Sequence, residues 1–358
     1  MSASTAFCQS EALKGVVNSL AVYKQKKDLK YLANAKKSID SLIVTKSDSS
    51  DLEKSVYRAV VNSSILYIDS LNKLKQKDNL FDQTTQLVDG LSSERKIYKY
   101  QAELDYSKRC LANVYMRKAF ANMNNSDFNN ALQLFMLARN YAPKFRPLNG
   151  YIAYSSDRLG KMQDAAKYYS DMVNSDSTRA EYVQAASNNY KLLGDTASAL
   201  SIIKKGRRLL PNDKTLLLDE ANIYSNKKDY RALAPLLPDL LDINSNNADI
   251  DFVAAVCYDH LHQYDKAESL YLQSIEMNSS AYDPIFNLGL LYLKQSVAKN
   301  EKGDSKDIQH AAQWLERADE ISPNNLNCLR MLQLVYAQTG NEDQINRVNN
   351  KLKQLTNQ

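Results

Sequence analysis

The chain has 358 residues, of which 44% are hydrophobic and 24% charged; that balance excludes a disordered chain, and the length exceeds one ordinary compact core. Its net charge of +5 sits entirely in the first third, where residues 1–110 hold 18 Lys and Arg against 13 Asp and Glu, while the remainder holds 28 of each. The even remainder argues against a broad electropositive face that would track a phosphate backbone, and no apolar run is long enough to cross a bilayer as a helix.

Nine Gly and seven Pro are few for this length, so turns needing positive φ are scarce and helices joined by short loops are predicted. Tyr is abundant, with 23 copies, while Trp occurs once. Cys8, Cys110, Cys257 and Cys328 are too far apart for a CxxC-type metal or redox motif; the last three sit among apolar helical neighbours and read as small core residues.

Residues 1–10 (MSASTAFCQS) read either as the tail of a secretory signal peptide or as a frayed terminus. Small residues precede Ala6-Phe7-Cys8 and a polar stretch follows, but the charged and long apolar parts of a leader are missing. Phe7 before Cys8 argues against a lipoprotein. An exported, periplasmic or envelope-associated location is favoured over a cytoplasmic one.

Residues 11–110 read as degenerate helical repeats. Leu29, Leu32, Ala33, Ile39 and Leu42 form an apolar helical face, a Ser/Asp turn follows at 47–51, and Val56, Val60, Ile65 and Leu66 mark the next helix. Residues 70–100 are polar and contain Gly90, which places the boundary of the basic N-terminal part there.

From residue 112 onward the sequence repeats itself. Small or apolar residues recur 34 apart at Ala131, Ala165, Ala199, Leu233 and Ala267. A second ladder runs Tyr190, Tyr224, Tyr258, Tyr292 at the same interval, then Tyr336 after a single ten-residue insertion. Within a period the spacing is helical: Phe128, Ala131, Phe135 and Ala138 share one face, and Pro143 ends the segment. Polar turns such as Asn124–Asp127, Gly160-Lys161 and Gly194-Asp195 precede each second helix. Each period is therefore helix, turn, helix, turn. One such pair cannot bury both apolar faces, whereas stacked pairs form a continuous core.

These residues resemble the tetratricopeptide repeat family, whose 34-residue signature is best matched by 112–145 (Tyr115, Ala119, Phe128, Ala131, Phe135, Ala138, Pro143) and by 282–325 (Leu288, Gly289, Tyr292, Ala311, Leu315, Ala318, Pro323). Further copies are 146–179, 180–213, 214–247, 248–281 and 326–358, giving seven over about two thirds of the chain. The resemblance implies an all-α, right-handed superhelical solenoid of antiparallel helix pairs. The arrangement of residues 11–110 resembles the opening repeat of envelope-associated tetratricopeptide proteins of Bacteroidota-like bacteria. Two places should break the regular pattern. Pro235 and Pro238 should interrupt the second helix of 214–247 and change its curvature. The insertion, within 295–308, should be an exposed mobile loop or a fraying helix extension.

The resemblance also implies a concave face lined by first helices, where a peptide, helix or folded partner docks. On that pattern the inner surface of the last repeats carries Phe252, Val256, Phe286, Leu290, Leu293 and Leu334. Earlier repeats contribute Phe120, Tyr154, Asn188, Lys191 and Asn222. The expected function is a non-catalytic protein-interaction scaffold, serving envelope assembly or secretion; a self-associating structural element and a small-molecule or glycan-binding accessory are the alternatives. Asp219 and Asp249 stand where a clamp for a partner's terminal carboxylate would need bases, so that specialisation is rejected.

The remaining candidates favour bland roles. Cys257, His260 and His262 do not share one helical face, so no metal site is expected. The run Lys204-Lys205-Gly206-Arg207-Arg208 reads as a solvated helix end, with nucleic acid disfavoured. Three His residues and the absence of GxSxG, HExxH and GxxxxGK[ST] patterns argue against catalysis, and no cofactor is implied.

Overall fold

The computed structural model describes residues 13–174, 179–300 and 305–356, so the proposed leader remnant at residues 1–10 and part of the insertion lie outside the described residues. Among the described residues the regular structure is entirely helical. The elements are α1 (Lys14–Lys26), α2 (Leu29–Ser41), α3 (Lys46–Ser49), α4 (Leu52–Ile68), α5 (Leu80–Ser92), α6 (Gln101–Asn124), α7 (Phe128–Tyr141), α8 (Pro147–Arg158), α9 (Met162–Val173), α10 (Ala180–Leu192), α11 (Thr196–Leu209), α12 (Lys214–Asn226), α13 (Tyr230–Leu233), α14 (Leu237–Ile243), α15 (Ala248–His260), α16 (Tyr264–Met277), α17 (Tyr282–Ala298), α18 (Lys306–Ile321), α19 (Leu326–Thr339) and α20 (Glu342–Thr356). They fall into two compact units, residues 1–199 and 200–358, with the division inside α11.

In the first unit each helix packs on its neighbours in sequence, from α6·α7 through α7·α8 and α8·α9 to α9·α10. Ala131 and Ala165 are fully buried, as the ladder requires of residues at close helix approaches. Phe135, also fully buried, fills the adjoining space and packs edge-on against Phe120 and flat against Tyr151. Helix α7 stops at Tyr141, and Ala142 before Pro143 leaves helical geometry at φ −133°, ψ 63°. The polar stretch 70–100 holds a helix that its composition conceals. In α5, Leu80, Thr84, Val88 and Leu91 are buried, and α5 packs on α4 and α6. Thr84 is tolerated inside because its hydroxyl donates to its own helix, at Leu80 O (2.6 Å).

In the second unit the pairs α15·α16, α17·α18 and α19·α20 stack through α16·α17 and α18·α19. One apolar cluster runs from Leu217 to Val348 and includes the ladder residues Leu233, Ala267 and Ala311, all fully buried. Two residues of the Tyr ladder reach equivalent partners. Tyr336 donates to Glu316 (2.6 Å) and the Tyr190 hydroxyl lies 3.4 Å from the Ser170 hydroxyl, each partner twenty residues back on the preceding second helix. Burying a ring while its hydroxyl finds a polar partner at the edge is what Tyr does better than Phe.

The two expected irregularities have defined forms. Around Pro235 and Pro238 the second helix is divided into α13, a 3-10 turn at Ala234–Leu236, and α14. Residues 301–304 of the insertion lie outside the described residues, and the helices on either side of them are extended. Helix α17 continues to Ala298 with Gln295 and Ser296 buried, and α18 opens on buried Asp307 and Ile308. Lys299 Nζ bonds the Asp307 carboxylate across the connection, joining the two extended ends.

Candidate functional site

Helices α15, α17 and α19 are the first helices of three successive pairs, and α15·α17 and α17·α19 are in contact. Together they bring Phe252 and Val256, then Phe286, Leu290 and Leu293, then Leu334 to one unit. Leu334 is 51% exposed. The other five are half-buried, with Phe252, Val256, Phe286 and Leu293 packed against the core cluster. Their rings are held in place: Phe286 stacks on Tyr282 at 5.5 Å, and Phe252 tilts against Tyr271 at 6.1 Å. All of these residues but Leu334 are therefore partly covered by the fold. Asn222, on α12 of the same unit, is exposed.

The sequence reading of this face missed an ion pair. Asp259 on α15, one helical turn after Val256, is 4% exposed and accepts from Lys294 Nζ on α17 at 2.6 Å. Its second oxygen, Oδ1, is buried without a partner, and so is the Tyr271 hydroxyl. Burial first, then the Asp259 charge, pushes the Tyr271 phenol far above its usual range, so it stays a neutral donor. The only signal in the sequence was the spacing of Asp259 from Val256 and of Lys294 from Leu290, which place both on the side of the apolar residues.

The remaining predicted residues lie in the first unit. Tyr154 on α8 is 43% exposed, with its ring edge-on to Phe128 at 5.9 Å. Asn188 and Lys191 on α10 are exposed, and Phe120 on α6 is half-buried between Phe135 and Tyr151. Of these residues only Phe120 is wholly apolar, and it is packed between rings of its own unit.

Residues with potential chemistry are engaged by the fold. Cys257 Sγ donates to Tyr230 O (3.3 Å), His260 stacks on Tyr230 at 4.2 Å, and His262 Nδ1 is 2.9 Å from the Tyr264 hydroxyl. Burial pushes the Cys257 thiol up to about 11 and the Cys328 thiol up to about 12, well away from thiolate reactivity. In the basic run, Arg207 bonds Glu220 at 2.6 Å and Lys204 lies over the Tyr224 ring. Glu220 is 5% exposed and occupies the register that holds Ala186, Ala254 and Leu288 in neighbouring copies, so Arg207 compensates a charge placed in a core position. Along α20, Ile345, Val348 and Leu352 pack inward, while Asp343, Asn346, Arg347, Asn350 and Lys353 are exposed.

No family model matches the chain. Among solved structures it is similar to YrrB, described as a TPR protein with an unusual peptide-binding site, at 18% identity over 55% of this chain and 96% of that one, with a TM-score of 0.45. It is also similar to MamA, at 17% identity over 48% of this chain and 94% of that one (TM-score 0.43), and to MamA residues 41 to the end from Desulfovibrio magneticus RS-1, at 18% identity over 51% and 97% (TM-score 0.41). The tetratricopeptide-type architecture, an all-α stack of antiparallel helix pairs, rests on the chain's own 34-residue ladders and their packing.

Proposed function

We propose that the chain is a non-catalytic binding scaffold whose α15–α17–α19 face holds an extended or helical segment of a partner protein. The observation that carries this reading is the apolar stripe from Phe252 to Leu334, flanked by the Asp259–Lys294 pair. Apolar residues would supply affinity, and the partly exposed Lys294 ammonium, held by Asp259, would border the stripe. Asn222 adds a polar border on the same unit. Asn188 and Tyr154 lie in the other unit and carry no part of this proposal.

The test is binding of a pulled-down partner to the double variant Phe286→Asp, Leu290→Asp, with Leu334→Asp as a milder variant that changes an already exposed residue. Affinity should fall at least about tenfold in both, a loss of about 1.4 kcal/mol. Unchanged affinity in variants that keep wild-type helical content would refute this assignment of the face.

A further inference from the structure

The first unit contains a second hollow that the stripe above does not involve. Helices α1, α2, α4 and α6 enclose a cavity of ≈ 770 Å³. Its walls are apolar, with Val17 and Leu20 from α1, Leu32 from α2, and Val60 and Ile68 from α4. Tyr23, Tyr67 and Tyr106 add rings with polar tips, and Tyr67 is 44% exposed at the mouth. Burial raises the Tyr23 phenol and pushes Tyr106 up to about 12, so both present neutral hydroxyls near neutral pH. The Tyr106 hydroxyl pairs with Ser64 at 3.1 Å.

Charge distinguishes this cavity. Lys24, Lys27 and Arg109 line it against one acid, Glu103. All three cations are exposed. Lys24 and Arg109 have no ion-pair partner among the described residues, and Lys27 lies over the Tyr23 ring at 5.8 Å. Arg109 also borders a neighbouring hollow of ≈ 620 Å³, where Lys108 and Lys144 face a single Asp105. The whole positive excess of the chain falls within residues 1–110, the part that builds this cavity. Glu103 Oε2 is buried, so this oxygen of the single acid does not face an incoming ligand.

From this combination we infer that the α1–α2–α4–α6 cavity is a second protein-docking site, taking an acidic amphipathic segment of a partner. Two or three apolar side chains of such a segment would enter between the tyrosines. Its Asp or Glu residues would meet Lys24, Lys27 and Arg109. A long-chain carboxylate would match the walls, but it brings a single negative charge to three cations. This site is independent of the face formed by α15, α17 and α19.

The test uses the full chain and a displayed pool of randomised short peptides, selected on the wild type and counter-selected on the variant Lys24→Glu, Arg109→Glu, Tyr67→Ala. All three changes are at exposed positions, so folding should be retained and is checked by helical content. Enriched peptides should combine apolar residues with Asp or Glu. Their synthetic versions should bind the variant at least about tenfold more weakly, with affinity falling as salt rises. The variant Phe286→Asp, Leu290→Asp should leave their affinity unchanged. Enrichment of basic or uncharged peptides, or no enrichment that the variant abolishes, overturns the inference. So does displacement-sensitive binding of dodecanoate, or of phosphatidylglycerol vesicles, at this cavity without peptide binding.

Discussion

Gly289 offers a sharp test of how closely the repeats are packed. It lies on α17 where α18 approaches, and a Cβ added there would stand 2.8 Å from Leu315 Cγ, 3.0 Å from Leu315 Cδ2 and 3.3 Å from the Leu315 backbone nitrogen. Leu315 is fully buried, and Cγ is not the free end of a flexible side chain, so α18 itself must give way. In the register 34 and 68 residues earlier stand Ala255 and Ala221, so those helix pairs accept the methyl that this one excludes. Gly289→Ala would gain about 1 kcal/mol of helix propensity. Overpacking a closed core costs about 1–3 kcal/mol, and the backbone contact places this site at the upper end. The net expectation is a loss of about 1–2 kcal/mol. Gly90, near the end of α5, is the control: nothing lies within 4 Å of its added Cβ, so Gly90→Ala should gain about 0.5 kcal/mol. Urea titrations followed by far-UV circular dichroism read both. If Gly289→Ala is as stable as the parent, or gains alongside Gly90→Ala, the close approach of α17 and α18 is refuted.

Two further expectations concern buried and capping carboxylates. Asp251, 3% exposed, is raised by burial, so the folded chain holds its proton more tightly than the unfolded chain does. Its contribution is fully present below the unfolded value near 3.8 and is lost as pH rises through the folded value; Asp251→Asn should therefore stabilise the protein at pH 7 by on the order of 1 kcal/mol, with the advantage vanishing below about pH 4. An equal melting-temperature gain at both pH values would contradict this account. Asp213 has the opposite sign. It caps α12 by accepting from Thr215 N and Leu216 N, and the hydroxyl bond from Thr215 foremost holds its carboxyl below the usual range. Asp213→Ala should cost about 1 kcal/mol at neutral pH. Because the depressed carboxylate stabilises above the unfolded value, the gap between variant and parent should close as pH falls below about 4. A pH-independent gap in parallel thermal melts would show that the cap's charge is irrelevant.

The fold was legible where volume and period act together. A residue at a close helix approach must be small in every copy, so Ala131, Ala165, Ala199 and Ala267 announce themselves, and all are fully buried. The Tyr ladder is legible for a related reason: few residues combine a buried ring with a polar tip. Helix α5 was not, because one of its four buried positions is Thr84, whose hydroxyl is satisfied within its own helix and leaves no apolar pattern to read. Within 295–308, Gln295, Ser296 and Asp307 look like surface residues in the sequence. They are buried through helix extension, and the Lys299–Asp307 bond is invisible to local composition. Of the candidate face, the apolar residues were readable from helical spacing. Burial of Asp259 depends on its partner Lys294, 35 residues away, and a single helix carries no trace of such a contact.

The divided helix at 230–243 bears on how the chain comes apart. In a row of repeats, melting spreads through the coupling of each unit to the next, and it halts where that coupling is poorest. Two prolines leave this stretch with short helical runs on either side of a 3-10 turn, so fewer continuous backbone bonds tie it together than in any uninterrupted second helix. Amide exchange should be quickest here among the second helices, making residues 230–243 the seam at which loss of structure in one stretch fails to drag down the other.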